Sequence, residues 1–273
     1  MKKIMKRMWI AFGWLFGLSL LAGLVLYPIG MKKFTRVYPD IKVETIHIPA
    51  DADAIARGKH IATIWGCTKC HGEDLSGMFY VDNFFLGSIP ASNLTSGEGG
   101  VAQSYTDIDW VRAIRHGVMP DGQGEILMYN YSTMSDQDLG DLIAYLKQIP
   151  SVNANYPPIR YGLFIPIAPE VGISIFTPVA EKIDHKAPRQ ADPEPCATVE
   201  YGKYLSAICF QCHSARFGAK LKDWTQEDFN RAVRSGILPD GEQISRAMSP
   251  KIFGEITDTE LTALWLYLTD VQP

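Results

Sequence analysis

The sequence predicts an all-α protein in which two small helical units follow one N-terminal, membrane-spanning helix. Three observations lead to this prediction. An uncharged apolar run of about 21 residues, Trp9–Ile29, lies near the start of the 273-residue chain. The pentapeptide Cys67–His71, of the form C-x-x-C-H, recurs as Cys209–His213. The helix starts, the Pro-Asp-Gly turn and the final helix that follow the first copy also follow the second, which indicates a duplicated fold.

Length and composition set the outer limits of the interpretation. A chain of 273 residues is long enough for two small domains, a linker and an anchor. The formal net charge is −4, so no basic excess points to a nucleic-acid partner. Four of the five cysteines belong to the two pentapeptides. Cys196 remains, and we favour a lone unreactive thiol over an intermolecular disulfide or a ligand.

The run Trp9–Ile29 is the candidate membrane span. At about 1.5 Å per residue it is roughly 31 Å long, enough to cross the hydrocarbon core of a bilayer. No cleavage site of the A-x-A type is evident after it, so we interpret residues 1–30 as an uncleaved signal anchor. Basic residues flank the run on both sides, and charge alone therefore does not set its orientation.

Composition shifts divide the rest of the chain. Residues 31–50 are predicted to form an extended connector, and residues 51–150 the first domain. Residues 151–190 form a proline-rich apolar linker, and residues 191–273 the second domain. Prolines interrupt the middle of the linker, Tyr161–Ala180, so we expect it to pack against a domain or a partner rather than to cross the membrane.

Capping boxes mark four predicted helix starts. They begin at Thr106 and Ser135 in the first domain and at Thr225 and Thr257 in the second. The stretch between the first pentapeptide and Thr106, residues 72–105, is rich in glycine, serine and asparagine and is predicted to be a long loop.

Two glycines predict close helix crossings. Gly58 pairs with Tyr145 in the first domain, and Gly202 pairs with Tyr267 in the second. We expect each small residue to let the first and last helix of its domain approach closely.

The form C-x-x-C-H is the attachment signature of a c-type haem. On one helical turn its two cysteines and its histidine lie on one face, so two sulfurs reach the porphyrin edge while the imidazole reaches the iron. In a zinc ribbon the two C-x-x-C pairs are about 15–20 residues apart, and here they are much further apart. A thioredoxin-like dithiol lies in a βαβ pattern, and none surrounds either motif. The sequence therefore predicts two covalently bound haem c groups, with these anchoring cysteines and proximal histidines: Cys67, Cys70 and His71, and Cys209, Cys212 and His213.

Methionine is the expected ligand on the other side of each iron, because histidine–methionine ligation is the arrangement of electron-transfer cytochromes and raises the reduction potential. A ligand should recur in both copies. Met128 and Met248 follow the Pro-Asp-Gly turns of the two copies by six and seven residues. The rivals in the first copy, Met119 and Met134, correspond to a leucine and an isoleucine in the second. We therefore predict Met128 and Met248 as the distal ligands.

Two histidines fail the same test of recurrence. His60 corresponds to Tyr204 and His116 to Ser235, so packing or solvated roles are favoured for both over a ligand role.

The succession of C-x-x-C-H, Pro-Asp-Gly turn, methionine and S/T-D-x-[DE] helix resembles the class I cytochrome c domain. Two such units behind an anchor resemble membrane-anchored dihaem cytochromes c. Three segments, Asn93–Thr95, Trp110–Arg115 and Ser135–Leu139, are most similar to the cytochrome subunits of bacterial periplasmic alcohol and sugar-acid dehydrogenases. Those subunits often carry three haems and a Met-Pro pair, whereas this sequence has two motifs and places tyrosine and serine after Met128 and Met248.

The resemblance implies two tandem class I cytochrome c domains that transfer single electrons and catalyse no reaction of their own. The expected donor is a membrane-bound dehydrogenase or quinol-oxidising complex, and the expected acceptor is a periplasmic protein or a terminal oxidase. Covalent haem attachment in bacteria takes place outside the cytoplasmic membrane. We therefore expect a single-pass protein of the inner membrane, in contact with lipid through residues 1–30, with its haem domains in the periplasm.

Two alternatives stay open at this point. A dihaem enzyme, such as a peroxidase or a thiosulfate-oxidising cytochrome, would need an open haem site or an unusual ligand, and Cys196 is the feature that hints at one. A haem-based sensor or a structural assembly subunit is the other alternative, although no signalling domain is attached.

Overall fold

The computed structural model describes residues 2–213, 217–245 and 248–270. Their helices are α1 (Lys2–Phe34), α2 (Ala52–Ile64), α3 (Cys67–His71), α4 (Asp107–His116), α5 (Asp136–Leu146), α6 (Phe164–Ile167), α7 (Val199–Cys209), α8 (Gln226–Ser235), α9 (Pro250–Phe253) and α10 (Asp258–Asp270). Short 3-10 turns lie at Val101–Gln103, Ala168–Val171, Ser174–Phe176, Val179–Lys182 and Gly218–Leu221.

Helix α1 contains the predicted span. It is 33 residues long, and its most apolar window of 18 residues has a mean hydropathy of 2.0 and is not buried by the rest of the protein. Length and composition therefore suit a membrane anchor, and a signal sequence near an N-terminus has the same two properties.

The predicted all-α fold is wrong, because the structure contains a three-stranded antiparallel sheet. Its strands are β1 (Met78–Asn83), β2 (Gly87–Ala91) and β3 (Arg160–Tyr161), in the order β1-β2-β3. The first two strands occupy the stretch that was predicted to be a loop.

The turn between β1 and β2 explains why this stretch forms a hairpin. The Asn83 side-chain oxygen accepts hydrogen bonds from the backbone nitrogens of Phe85 (3.1 Å) and Leu86 (2.9 Å), which closes the turn. The other edge of β2 pairs with β3, where Gly87 lies opposite Tyr161. Since β3 comes from the linker more than sixty residues further on, local composition gave no sign of this pairing.

Most predicted helix starts are confirmed. Thr106 and Thr225 form reciprocal capping boxes with the acids three residues later. Thr257 exchanges the same bonds with Glu260. Ser135 forms half of its predicted capping box, because its hydroxyl accepts a hydrogen bond from the backbone nitrogen of Asp138 (3.2 Å). The carboxylate of Asp138 accepts from the hydroxyl of Tyr204 instead.

Both predicted glycine crossings are confirmed. A Cβ on Gly58 would collide with a backbone carbonyl of α5 and would lie 2.8 Å from the Cβ of Tyr145. A Cβ on Gly202 would collide with a carbonyl of α10 and would lie 2.9 Å from the Cβ of Tyr267. Helices α2 and α5, and likewise α7 and α10, therefore touch backbone to backbone.

The two units pack against each other through a reciprocal pair of contacts. His60 on α2 has its Nε2 2.9 Å from a carboxylate oxygen of Glu260, in the first turn of α10. Tyr204 on α7 donates its hydroxyl to Asp138, in the first turn of α5, at 2.6 Å. His60 and Tyr204 are equivalent positions of the repeat, as are Glu260 and Asp138. The interface thus has an approximate two-fold axis.

The linker packs on the first unit along part of its length. Ile165, Ala168, Val179 and Ala180 are buried, so the predicted packing of Tyr161–Ala180 is confirmed for these positions. Five other apolar side chains of the linker are exposed in the chain by itself, and their packing against a partner stays a prediction: Leu163, Phe164, Val171, Ile173 and Ile175.

A histidine pair fastens the end of the linker to α4. The Nδ1 atoms of His116 and His185 are 3.1 Å apart, and Nε2 of His185 is 3.0 Å from the carbonyl oxygen of Ala180. Burial, with His185 beside it, lowers the pKa of His116 to about 4, so this imidazole stays neutral at neutral pH. The packing role predicted for His116 is confirmed.

Candidate haem sites

A cavity of about 580 Å³ lies in the first unit. This volume falls within the range of roughly 300–1,000 Å³ that is typical of small-molecule and cofactor sites. The predicted residues Cys67, Cys70, His71 and Met128 all line it. Its other walls are largely apolar, formed by residues that include Leu94, Trp110, Ile114, Leu142 and Leu146. Such walls suit the faces of a porphyrin.

Local backbone geometry directs the first motif into this cavity. Helix α2 stops before Gly66, whose φ of +80° is a left-handed conformation that favours glycine and starts the single turn of α3. Cys67, Cys70 and His71 therefore share one turn and all line the cavity. Burial raises the pKa of the Cys67 thiol to about 12 and also raises that of Cys70.

His71 is prepared for a metal by its second nitrogen. Its Nδ1 lies 2.7 Å from the backbone carbonyl oxygen of Ser92, and this oxygen can only accept. Nδ1 therefore carries the proton, and the lone pair of Nε2 is free for iron. Burial lowers the pKa of His71, which also favours the neutral form that binds metals. These features fit a proximal haem ligand.

A buried asparagine holds the loop that receives His71. Asn93 donates its side-chain amide to the carbonyl of Val152 (2.8 Å) and accepts from the backbone nitrogen of Thr95 (2.9 Å). The hydroxyl of Thr95 donates to the same carbonyl at 3.0 Å. Asn93 and Thr95 thereby fix the carbonyl of Ser92 next to His71. In the sequence these residues carry only part of a resemblance, and no local pattern indicates their role.

The methionines of the first unit separate into two groups. Met128 and Met119 line the cavity, whereas Met134 is fully buried in the core and is not part of the cavity wall. Leu127, directly before Met128, has a φ of +58°, a strained conformation for a bulky residue. Strain of this kind concentrates at functional sites. Met128 therefore stays the predicted distal ligand, on this strain and on its recurrence in the repeat.

The second motif also forms one helical turn. The backbone nitrogens of Cys212 and His213 donate to the carbonyl of Cys209, at 3.1 and 2.9 Å. Burial raises the pKa of Cys209 to about 12 and lowers that of His213. The ring of His213 packs on Phe217, with centroids 4.0 Å apart. Met248 is half-buried between α8 and α9 and packs against the core.

The two motifs meet at Tyr129. This residue lines the first cavity, and its hydroxyl lies 3.8 Å from the sulfur of Cys212 in the second motif. Lys69, inside the first motif, donates to the same hydroxyl at 3.2 Å. Next to this contact, the backbone of Asn130 exchanges two hydrogen bonds with the side chain of Gln211, at 3.0 and 3.1 Å. Sequence analysis did not foresee this contact, because no pattern in either copy encodes it.

One family model matches part of the first unit. Residues 55–150 match the family model of cytochrome c. Such a domain implies a covalently bound haem c, and the predicted resemblance is confirmed for this part of the chain.

Two curated relatives are cytochrome subunits of dehydrogenases. The chain is 27% identical to the fructose dehydrogenase cytochrome subunit of Gluconobacter japonicus, over 69% of this chain and 43% of the relative. It is 26% identical to the cytochrome c subunit of the alcohol dehydrogenase (quinone) of Gluconobacter oxydans (strain 621H), over 74% of this chain and 43% of that subunit. The match thus spans less than half the length of either relative. Over the matched parts, the chain is similar to cytochrome c and to the cytochrome subunits of these two dehydrogenases.

Proposed function

We propose that this protein is a membrane-anchored dihaem cytochrome c that carries single electrons from a membrane-bound donor to an acceptor at the periplasmic face. The observation that carries the proposal is the contact at Tyr129, which joins the wall of the first cavity to the sulfur of Cys212. Electron transfer between two centres requires that they lie close together, and this contact makes the two C-x-x-C-H motifs neighbours.

Each unit supplies a complete ligand set for one haem, and the haem supplies one-electron redox chemistry when bound. Residues 51–150 would hold the first group through Cys67, Cys70 and His71, with Met128 as distal ligand. Residues 191–273 would hold the second through Cys209, Cys212 and His213, with Met248 as distal ligand. The apolar walls exclude water, and the bond from His71 to Ser92 fixes the orientation of its ring.

The donor class comes from the relatives and from α1. Fructose dehydrogenase and quinone-dependent alcohol dehydrogenase each have a cytochrome subunit similar to this chain. We propose a membrane-bound dehydrogenase or quinol-oxidising complex as donor and a periplasmic protein or terminal oxidase as acceptor. Helix α1 would hold the protein in the bacterial inner membrane in a single pass, as its length and composition allow.

The first test counts the haems. Covalently bound haem, measured after acid extraction of free haem, should amount to two per chain in the intact protein. Replacing Cys67 and Cys70 together by alanine should remove one, and the same change at Cys209 and Cys212 should remove the other. A count of one in the intact protein contradicts the dihaem proposal.

The second test addresses the distal ligands. Met248→Leu removes the thioether and keeps roughly the same apolar volume, so the fold should survive. The potential of that haem should fall, the far-red methionine–iron band should weaken, and carbon monoxide should bind. Met128→Leu should act in the same way on the other haem.

Met119→Leu and Met134→Leu are the matched controls, and both spectra should stay unchanged in them. If Met119→Leu opens the first haem and Met128→Leu does not, the assignment of Met128 is wrong. Rapid reaction of the intact protein with peroxide would instead support a dihaem enzyme.

A further inference from the structure

An apolar surface lies beside the C-terminal end of α1, outside both candidate haem sites. It consists of residues 163–176, here called the interfacial segment, and of the hairpin turn at Phe84 and Phe85. Phe84 is 89% exposed, Leu163 64% and Ile175 63%. Soluble proteins rarely expose a continuous patch of large apolar side chains, and such a patch marks an interaction surface.

The interfacial segment is packed onto the anchor helix itself. A Cβ on Gly30 of α1 would collide with the backbone of Pro166, so the backbones of α1 and of the interfacial segment are in direct contact. Further along the helix, Cδ1 of Ile167 lies 3.8 Å from where a Cβ on Gly23 would be. Near the end of the helix, Lys33 forms an ion pair of 2.7 Å with Glu170. The segment therefore follows α1 from Lys33 down to the level of Gly23.

This contact determines how deep the segment lies. Gly23 is six residues inside Ile29, the last residue of the uncharged run. At about 1.5 Å per residue, the side chain of Ile167 lies roughly 9 Å inside that end of the run. Segments that lie in a membrane interface bury their apolar face about 5–10 Å deep. If α1 crosses the bilayer, the segment is carried into the outer leaflet with it.

The backbone and the charge of the segment suit this position. Its turns satisfy their own backbone nitrogens, as Ile173 donates to the carbonyl of Ala168 at 2.8 Å. The backbone nitrogen of Phe164 donates to the carbonyl of Phe85 at 3.2 Å, which ties the hairpin turn to the segment. Glu170, the single charged residue between 163 and 176, is paired with Lys33. These backbone bonds and the ion pair lower the cost of placing the segment in lipid.

We infer that the interfacial segment and the hairpin turn insert into the outer leaflet of the bilayer around α1 and hold the first unit against the membrane surface. This inference rests on the proposed anchor. Lipid is favoured over a protein partner because the surface continues directly from the exposed apolar side of α1 and reaches the level of its uncharged run.

The insertion would bring the first haem site close to the membrane. Tyr161 of β3 lines the first cavity, and its ring packs on Phe34 at the end of α1, with centroids 4.8 Å apart. The interfacial segment begins two residues after Tyr161. An electron donor inside the membrane would therefore lie close to the first site.

Spin-label accessibility in bilayers tests the inference. The full chain carrying Cys196→Ser is reconstituted into vesicles of phosphatidylcholine and phosphatidylglycerol, and single labels are placed through Phe85→Cys, Ile173→Cys or Lys222→Cys. Lys222 is an exposed position of the second unit and serves as the control. Collision rates with oxygen, which concentrates in lipid, are compared with those of a water-soluble nickel chelate. Unchanged covalent haem content shows that each variant is folded.

Labels at residues 85 and 173 should give an oxygen-to-nickel ratio several-fold higher than the label at residue 222. Ratios equal to that of residue 222, in protein that stays with the vesicles, overturn the inference, and the apolar surface then belongs to a protein partner. Protein that does not stay with the vesicles refutes the anchor and the insertion together, and sedimentation distinguishes this result from the previous one.

Discussion

The ion pair between His60 and Glu260 gives a quantitative prediction for the interface between the two units. Nε2 of His60 lies 2.9 and 3.0 Å from the two carboxylate oxygens of Glu260. The His60 side chain is 31% exposed and that of Glu260 is 8% exposed, so the pair is neither fully screened nor fully buried. A hydrogen bond to a charged group contributes about 1.5–3 kcal/mol, and an exposed ion pair about 0–1 kcal/mol. We expect His60→Ala to lower the free energy of unfolding by about 1–2 kcal/mol near pH 6.

The effect should depend on pH in a defined direction. The hydrogen bond to Glu260 raises the pKa of His60 above its ordinary value of 6.5. The stabilisation from His60 is therefore fully present below pH 6.5 and is lost as the pH rises through the raised pKa. Burial by itself would raise the pKa of Glu260, but the hydrogen bonds from His60 and Thr257 and the charge of His60 together lower it from 4.5. The share of Glu260 in the stability is therefore lost as the pH falls through that lower value. The pair should contribute most between about pH 4.5 and 6.5.

Denaturant unfolding of the full chain in mild detergent, from pH 5 to pH 9, measures this profile. The difference between the intact protein and His60→Ala should shrink as the pH rises. His60→Tyr is the matched control, because the second unit has Tyr204 at the equivalent position and a tyrosine does not titrate in this range. A difference between the intact protein and His60→Ala that stays constant from pH 5 to 9 would refute the ion-pair reasoning.

Two further predictions concern the core of the first unit and the helix crossings. Gly58→Ala and Gly202→Ala should each destabilise the protein by about 1–3 kcal/mol, because overpacking at a backbone contact outweighs the gain of about 1 kcal/mol in helix propensity. Gly17→Ala, where a Cβ meets nothing within 4 Å, is the control, and a denaturation midpoint as low as in the other two variants would contradict the reasoning. Asn93→Ala should lower the free energy of unfolding by about 1–3 kcal/mol, since it leaves the backbone nitrogen of Thr95 without its acceptor. A free energy of unfolding equal to that of the intact protein would show that Asn93 does not stabilise this loop.

Much of the local structure could be predicted from the sequence, because short-range physics fixes it. The capping boxes at Thr106 and Thr225 need only residues three positions apart, and both form. The crossings at Gly58 and Gly202 were predictable because the repeat shows each glycine together with its tyrosine partner. Residues of the first haem motif and Met128 line one cavity for the same reason, since a single turn and a recurrent loop position them.

The sheet could not be predicted, because its stability depends on distant residues. Strand β2 lies between β1 and β3, and β3 consists of Arg160 and Tyr161 from the linker. The composition of residues 72–105 favours a loop until that second edge is supplied. The linker shows the same limit. Its prolines argued correctly against a second span, but which side chains are buried depends on α1, and the local sequence does not encode where α1 lies.

Departures from the repeat carry information that the repeat itself does not. A ligand must serve its own unit, so it recurs, and recurrence was the basis for choosing Met128 and Met248. A residue that faces outside its unit meets different surroundings in each copy and is free to differ. His60 and Tyr204 differ, although each contacts an acid of the other unit, Glu260 and Asp138 respectively. His116 has no counterpart because it contacts His185 of a linker that joins the units only once. In a duplicated chain, residues that match therefore indicate the sites, and polar residues that do not match indicate the surfaces through which each unit meets the rest of the protein.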